Sequence, residues 1–122
     1  MSQQTILFID DSPTMRRIIK NSLMKIGYSQ FVEAEHGADA LEKMEGQEID
    51  LILTDWNMPE MNGEEFVKTV RGMPQFKDTP ILMITTRGMK DDVMRAVSLG
   101  VNGYIVKPFT PDVLKKKIAE LA

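Results

Sequence analysis

Five polar residues stand where short apolar runs stop. Asp10 and Asp11 follow Ile6-Leu7-Phe8-Ile9, Asp55 follows Leu51-Ile52-Leu53-Thr54, Thr85 follows Ile81-Leu82-Met83-Ile84, and Lys107 follows Tyr104-Ile105-Val106. Three carboxylates gathered in one cavity repel one another and resist ionising. A divalent cation resolves that conflict, and carboxylate oxygens suit a hard ion such as Mg2+, which also keeps waters and a phosphate oxygen. No histidine or cysteine falls at these positions, which argues against zinc or copper. The chemistry open to such a set is phosphoryl transfer, in which a carboxylate attacks in line while metal and ammonium neutralise the equatorial oxygens. Lys107 would supply the ammonium, and the Thr85 hydroxyl a hydrogen bond to a phosphoryl oxygen. Taken alone, Asp10 or Thr85 reads better as a helix cap or a strand end; the joint occurrence of the set is what points to a site.

The elements that must position these residues are legible from period and punctuation. Ser12 followed by Pro13 starts a helix, because a hydroxyl caps free amides and proline fits the first helical position. Met15, Ile18, Ile19, Leu23 and Ile26 recur at helical spacing, and Gly27 closes the helix. A weak strand is expected from Phe31 to Ala34, then a short helix outlined by Ala38, Leu41 and Met44. Ile49 to Thr54 predicts a third strand suited to burial on both faces. A loop with Pro59 and Gly63 leads to a helix carrying Phe66, Val67 and Val70. Pro80 opens the fourth strand, and Val93, Met94, Ala96 and Val97 mark the next helix. Thr110-Pro111-Asp112 starts the last one, with Val113, Leu114, Ile118 and Leu121 inward. Strand followed by helix, five times over, means a parallel sheet covered by helices on both faces. Ligands of such sheets bind outside the carboxyl ends of the strands, which neighbour one another at about 4.8 Å.

At 122 residues the chain has room for a single domain, 1–122. With 43% hydrophobic and 27% charged residues it has the composition of a soluble globular protein. The net charge of −3, with both signs interspersed, argues against a nucleic-acid partner. Lys115-Lys116-Lys117 reads as the solvated side of the last helix. No apolar run approaches a membrane span. Met1-Ser2-Gln3-Gln4 lacks the regions of a signal peptide, so the expected compartment is the cytosol, without membrane association. Most of the ten methionines should fill the core, with one or two softening a docking surface.

The same residues carry a family resemblance. Phe8-Ile9-Asp10-Asp11-Ser12, Thr54-Asp55-Trp56-Asn57-Met58-Pro59 with Met61-Asn62-Gly63, Ile84-Thr85-Thr86, and Tyr104-Ile105-Val106-Lys107-Pro108-Phe109 resemble a response-regulator receiver domain across essentially the whole chain. Met15-Arg16-Arg17, the segment Asp55 to Pro59 and the segment Lys107 to Thr110 are similar to the single-domain chemotaxis members. The resemblance implies an α/β, flavodoxin-like, doubly wound five-stranded parallel sheet with five helices. Its strand order, 2-1-3-4-5, is carried over from the family rather than derived.

The resemblance also implies roles. Asp55 is the phosphoacceptor, taking its phosphoryl group from a chemotaxis histidine kinase. Asp11 and Asp55 ligate Mg2+ directly with the Asn57 backbone carbonyl, and Asp10 acts through a water. Lys107 contacts the phosphoryl group, and its bond to Pro108 is cis. Thr85 and Tyr104 form the switch: Thr85 is drawn toward the phosphate and the Tyr104 ring turns into the space left. Lys90, Val93, Val97, Tyr104 and Lys117 form the face that meets a flagellar motor switch protein, changing rotation. The implied protein is a monomer, a switch that assists its own phosphorylation and dephosphorylation rather than an enzyme, and a phosphatase is a further partner. The alternative is a stand-alone receiver acting as a phosphate sink or regulating a non-flagellar output.

Some positions depart from the pattern or invite other readings. Arg87 stands where an acidic residue is common, near the mouth of the site. Asn62 replaces a frequent Asp before Gly63, with little expected effect. Ser12 and Glu60 lie beside the site and are candidates for tuning rates. His36 reads as a surface-loop residue rather than a phosphohistidine relay, and Trp56 as partial packing over the site. Gly100-Val101-Asn102-Gly103 is a helix stop and turn, because no helix follows it as a phosphate cradle requires. A flavin carrier would need a hydroxyl- and glycine-rich loop where this chain has Asp10-Asp11-Ser12-Pro13. An aspartate-nucleophile phosphatase would carry a second Asp at position 57; with Asn57 there, turnover is slow and an acyl phosphate persists. A transcription regulator is not expected, as no DNA-binding domain follows Ala122.

Overall fold

The computed structural model describes residues 4–57 and 61–121. Strand and helix alternate along the chain: β1 (Thr5–Ile9), α1 (Pro13–Ile26), β2 (Gln30–Ala34), α2 (Gly37–Met44), β3 (Leu51–Thr54), α3 (Gly63–Arg71), β4 (Ile81–Thr85), α4 (Lys90–Leu99), β5 (Gly103–Val106) and α5 (Pro111–Leu121). The strands form one parallel sheet in the order β2-β1-β3-β4-β5. That is the doubly wound, flavodoxin-like arrangement the resemblance implied.

The central strands β1, β3 and β4 are almost wholly apolar because both faces of the sheet are covered, whereas the edge strand β2 carries Gln30 and Glu33. Leu7, Ile9, Ile52, Ile81 and Met83 pack with Ala40, Met44, Phe66, Val67, Val70 and Ala96, from α2, α3 and α4. Their sequence neighbours Ile6, Phe8, Leu53, Leu82 and Ile84 pack on the other face with Ile19, Leu23, Leu114 and Ile118, from α1 and α5. Alternate residues of a strand point to opposite faces, so a continuous apolar run fills two cores at once.

Local signals set the helix ends. The Ser12 hydroxyl accepts the Met15 amide at 3.2 Å with Pro13 in the first turn, and Gly27 at φ 119° ends α1 in the left-handed region that favours glycine. Thr110 caps α5 by accepting the Val113 amide at 3.2 Å.

Several details differ from the sequence reading. Ile18 and Val113 are exposed, at 43% and 42%. On α5, Leu114 and Ile118, four residues apart, take the sheet-facing stripe, and Val113 is rotated off it by one position. The third strand begins at Leu51, although Ile49 is still buried. His36 is not a plain loop residue: its Nδ1 accepts the Asp39 amide at 3.1 Å and caps α2. Asn62 does more than tolerate a turn, since it forms a capping box with Glu65 at the start of α3.

Candidate functional site

Strand register decides what meets at the carboxyl end of the sheet. Ile9 pairs with Thr54, so Asp10 and Asp55 leave adjacent strands at the same level. The Asp55 amide donates to the Ile9 carbonyl at 3.2 Å, and the Asp10 amide to the Ala34 carbonyl at 3.2 Å. Thr85 pairs with Val106, and the Lys107 amide donates to the Thr85 carbonyl at 2.8 Å, which sends the lysine side chain back over the strand ends. The Lys107–Pro108 bond is cis.

The Lys107 ammonium lies 2.6 Å from Asp10 Oδ2 and 3.0 Å from Asp55 Oδ2, joining residues 97 and 52 positions apart. All three side chains are buried or nearly so. Burial by itself would lower the Lys107 pKa, but the hydrogen bonds and charges of the two carboxylates outweigh it and raise the value above the ordinary 10.5. The remaining carboxylate oxygens face backbone amides: Asp10 Oδ1 accepts Ser12 N–H at 2.9 Å, and Asp55 Oδ1 accepts Trp56 N–H at 2.6 Å and Asn57 N–H at 3.3 Å. Both aspartates are thus held by main chain on one side and by the ammonium on the other. Among the described residues, no buried side-chain nitrogen or oxygen lacks a partner.

Tight packing behind Asp55 fixes its position. The Gly63 amide donates to the Trp56 carbonyl at 2.7 Å, and a Cβ at Gly63 would collide with the Asp55 carbonyl and the Trp56 backbone. Trp56 is 5% exposed and belongs to the core, so it does not merely lie over the site.

Asp11 is exposed and is not gathered with the other two aspartates; among the described residues no set of three carboxylate or imidazole groups is placed to hold a metal ion. Asp10 and Asp55 form a pair bridged by Lys107, whose charge offsets their mutual repulsion. The donor chemistry still fits a hard cation. Asp10, Asp11, Asp55 and the Asn57 carbonyl are oxygen donors, the chain has no cysteine, and its one histidine caps α2.

Thr85 is fully buried, with its hydroxyl oxygen accepting the Arg87 amide at 3.3 Å. Tyr104 is half-buried and its hydroxyl donates to the Arg87 carbonyl at 2.6 Å. Burial and then the charge of Asp92 raise the Tyr104 pKa, with Arg87 opposing and Asp55 adding. Of the proposed partner face, Lys90 and Val97 are exposed, while Val93 and Lys117 are half-buried. Met89 and Met94, at 73% and 59% exposure, extend that face. Met58, Pro59 and Glu60 lie outside the described residues.

Sequence reasoning passed over the role of Arg16. Its guanidinium donates to the Asp10 carbonyl at 2.6 Å and lies 3.5 Å from Glu33 on β2, so it ties the end of β1 to its neighbour. The only trace of this in the sequence is a basic residue on the first turns of the helix after Asp10.

Comparison with known proteins follows the same lines. The family profile described as the response regulator receiver domain matches residues 6–119. "Chemotaxis protein CheY1" of Helicobacter pylori is 56% identical over 114 residues, covering 93% of this chain and 92% of that protein. Among solved structures, the chemotaxis response regulator CheY4 of Vibrio cholerae superposes with a TM-score of 0.91 at 37% identity, covering 99% of this chain and all of that one. The receiver domain of the sensor histidine kinase PA1611 of Pseudomonas aeruginosa, solved with a magnesium ion coordinated in its active-site cleft, superposes with a TM-score of 0.87 at 26% identity, covering 97% and 96%. No helix among the described residues is long and apolar enough to cross a membrane.

Proposed function

Since this chain belongs to the response regulator receiver family, we propose that it is a cytoplasmic chemotaxis regulator in which Asp55 accepts a phosphoryl group from a histidine kinase. The observation that carries this reading is the Lys107 ammonium shared between the carboxylates of Asp10 and Asp55 at aligned strand ends.

The mechanism follows from what each atom faces. Asp55 Oδ1 is occupied by the Trp56 and Asn57 amides, which leaves Oδ2, beside Lys107, as the attacking oxygen. Its lone pair forms the new P–O bond as the donor's bond to phosphorus breaks, and the donor leaves with that electron pair. Lys107 is already within reach of the incoming oxygens, so it exchanges a carboxylate contact for a phosphoryl contact without crossing the site. Asp55 and the Asn57 carbonyl, with Asp10 through a water and Asp11 turned in from its exposed position, are the residues that would hold Mg2+. When bound, the ion neutralises charge on the phosphoryl oxygens. No group stands two residues after Asp55 to act as acid or base, since Asn57 does not ionise, so the acyl phosphate lasts long enough to signal. Thr85 then turns its hydroxyl to the phosphate, and the effect reaches the face of α4, β5 and α5, where Lys90, Val93, Val97, Tyr104 and Lys117 meet a flagellar motor switch protein.

The test is intact mass after incubation with Mg2+ and acetyl phosphate, with and without excess chelator. A labile gain of one phosphoryl group that disappears with the chelator is expected. No gain under any condition would overturn the reading. Lys107→Ala should still form some adduct, because the nucleophile remains, but the change in Trp56 emission on phosphorylation should be lost. A normal emission response in that variant would show that Lys107 does not couple the phosphate to its surroundings.

A further inference from the structure

Arg87, in the turn between β4 and α4, is engaged through its backbone and its side chain alike. Its amide donates to the Thr85 hydroxyl at 3.3 Å and its carbonyl accepts the Tyr104 hydroxyl at 2.6 Å. Its guanidinium pairs with Asp92 at 2.9 Å and lies 4.3 Å from the centre of the Trp56 ring. These four contacts connect the residue after Asp55, the buried Thr85, the first turn of α4 and the Tyr104 ring. The N-cap of α4, Met89, makes no side-chain cap bond, so the Arg87–Asp92 pair helps to fasten a turn that lacks that support. The next residue, Gly88, is pressed against β5: a Cβ there would stand 3.3 Å from both Val106 methyls.

We propose that Arg87 is a positioning residue, a latch that holds the Tyr104 ring inward before any phosphoryl group arrives. The guanidinium, braced between Asp92 and Trp56, fixes the turn so that the Arg87 carbonyl is presented to the Tyr104 hydroxyl. Without that brace the turn relaxes, the hydroxyl loses its acceptor, and the ring has less reason to stay in a half-buried place. The assignment of the inward ring as the signalling arrangement rests on the reading of Asp55 as phosphoacceptor. On that reading the α4–β5–α5 face is partly preset at rest. Phosphorylation acts on the same residue, because a Thr85 hydroxyl drawn to the phosphate leaves the Arg87 amide.

The test is the Tyr104 ring rotamer, followed by NMR on the full chain with labelled tyrosine, without metal or phosphate, with Tyr28 as internal reference. Wild type should be mainly inward. Arg87→Ala should lower the inward-to-outward ratio by about fivefold, the scale set by one half-exposed ion pair and one cation–π contact, and Asp92→Asn, which removes the ion pair alone, by about twofold. Arg87→Lys should fall between, since an ammonium keeps the charge and loses the planar stacking. Trp56 emission should shift in Arg87→Ala. A wild-type ratio in both Arg87→Ala and Asp92→Asn overturns the latch; if Arg87→Ala unfolds, Asp92→Asn alone decides. Addition of Mg2+ and acetyl phosphate then separates the two readings. Recovery of the inward ring in the variants supports both, whereas absence of an adduct in wild type removes the phosphoacceptor and leaves the resting ratio to decide the latch.

Discussion

Asp55→Asn is expected to show no phosphoryl adduct with acetyl phosphate and Mg2+ by intact mass, under conditions where wild type gains one group. An amide oxygen replaces Oδ1 well, because it still accepts the Trp56 amide. The amide nitrogen that replaces Oδ2 is no nucleophile, and it presents hydrogens to an ammonium instead of a lone pair. The fold should survive. In wild type two carboxylates share one ammonium, leaving an excess of one negative charge; the variant leaves Asp10 and Lys107 as a neutral pair. Stability in urea should therefore hold or rise, since a like-charge repulsion has been removed. An adduct of undiminished yield in Asp55→Asn would move the acceptor to another residue. A collapse of the fold would mean that the carboxylate is structural.

Arg71→Ala should destabilise the protein by about 3 kcal/mol, roughly the scale of hydrogen bonds from a charged, partly buried donor to acceptors left unpaired. From the last turn of α3 its guanidinium reaches the Gly100 carbonyl at 3.1 and 2.8 Å, and the carbonyls of Phe76, Lys77 and Thr79 at 3.1, 3.0 and 2.8 Å. It also reaches Asn102 Oδ1 at 2.8 Å, and that same oxygen accepts the Ile81 amide at 2.9 Å, where β4 begins. One side chain thereby joins the ends of α3 and α4 to the starts of β4 and β5. Burial pulls its pKa below the usual arginine value, with the charge of Asp78 opposing, so the charge is held in place chiefly by neutral carbonyls. Both helix C-termini favour a cation there. Arg71→Lys should recover only part of the loss, as three donors on a point charge cannot span this set. Urea denaturation of the three proteins measures this. A loss below about 0.5 kcal/mol, the scale of an ordinary surface change, would refute the clip.

Arg71 also shows where a sequence stops being informative. Nothing near it in the chain marks it as different from Arg95, whose guanidinium makes an exposed pair with Glu64. Its acceptors at Gly100 and Asn102 lie 29 and 31 positions away and are chosen by how the helices end, not by any motif. Arg87 is a similar case: its type was noticeable, but its partners come from α4, β5 and the end of β3. Trp56 belongs to the core rather than lying over the site, because a ring's burial depends on what α3 and its neighbours place around it. Asn62, by contrast, was legible in principle, since Asn followed three residues later by Glu is a local helix-start pattern.

The sequence by itself determined the alternation of strands and helices, the caps at Ser12 and Thr110, the stop at Gly27, and the polar residues waiting at the strand ends. Each of these is encoded by residues within one or two turns of one another, so local propensity and apolar period suffice to reveal them. Only the tertiary structure decided that Asp10 and Asp55 share Lys107 while Asp11 stays outside, and that Thr85, Arg87, Trp56, Asp92 and Tyr104 form one connected group. Those outcomes depend on strand register, across separations as long as the 97 positions between Asp10 and Lys107, and no local rule carries that far.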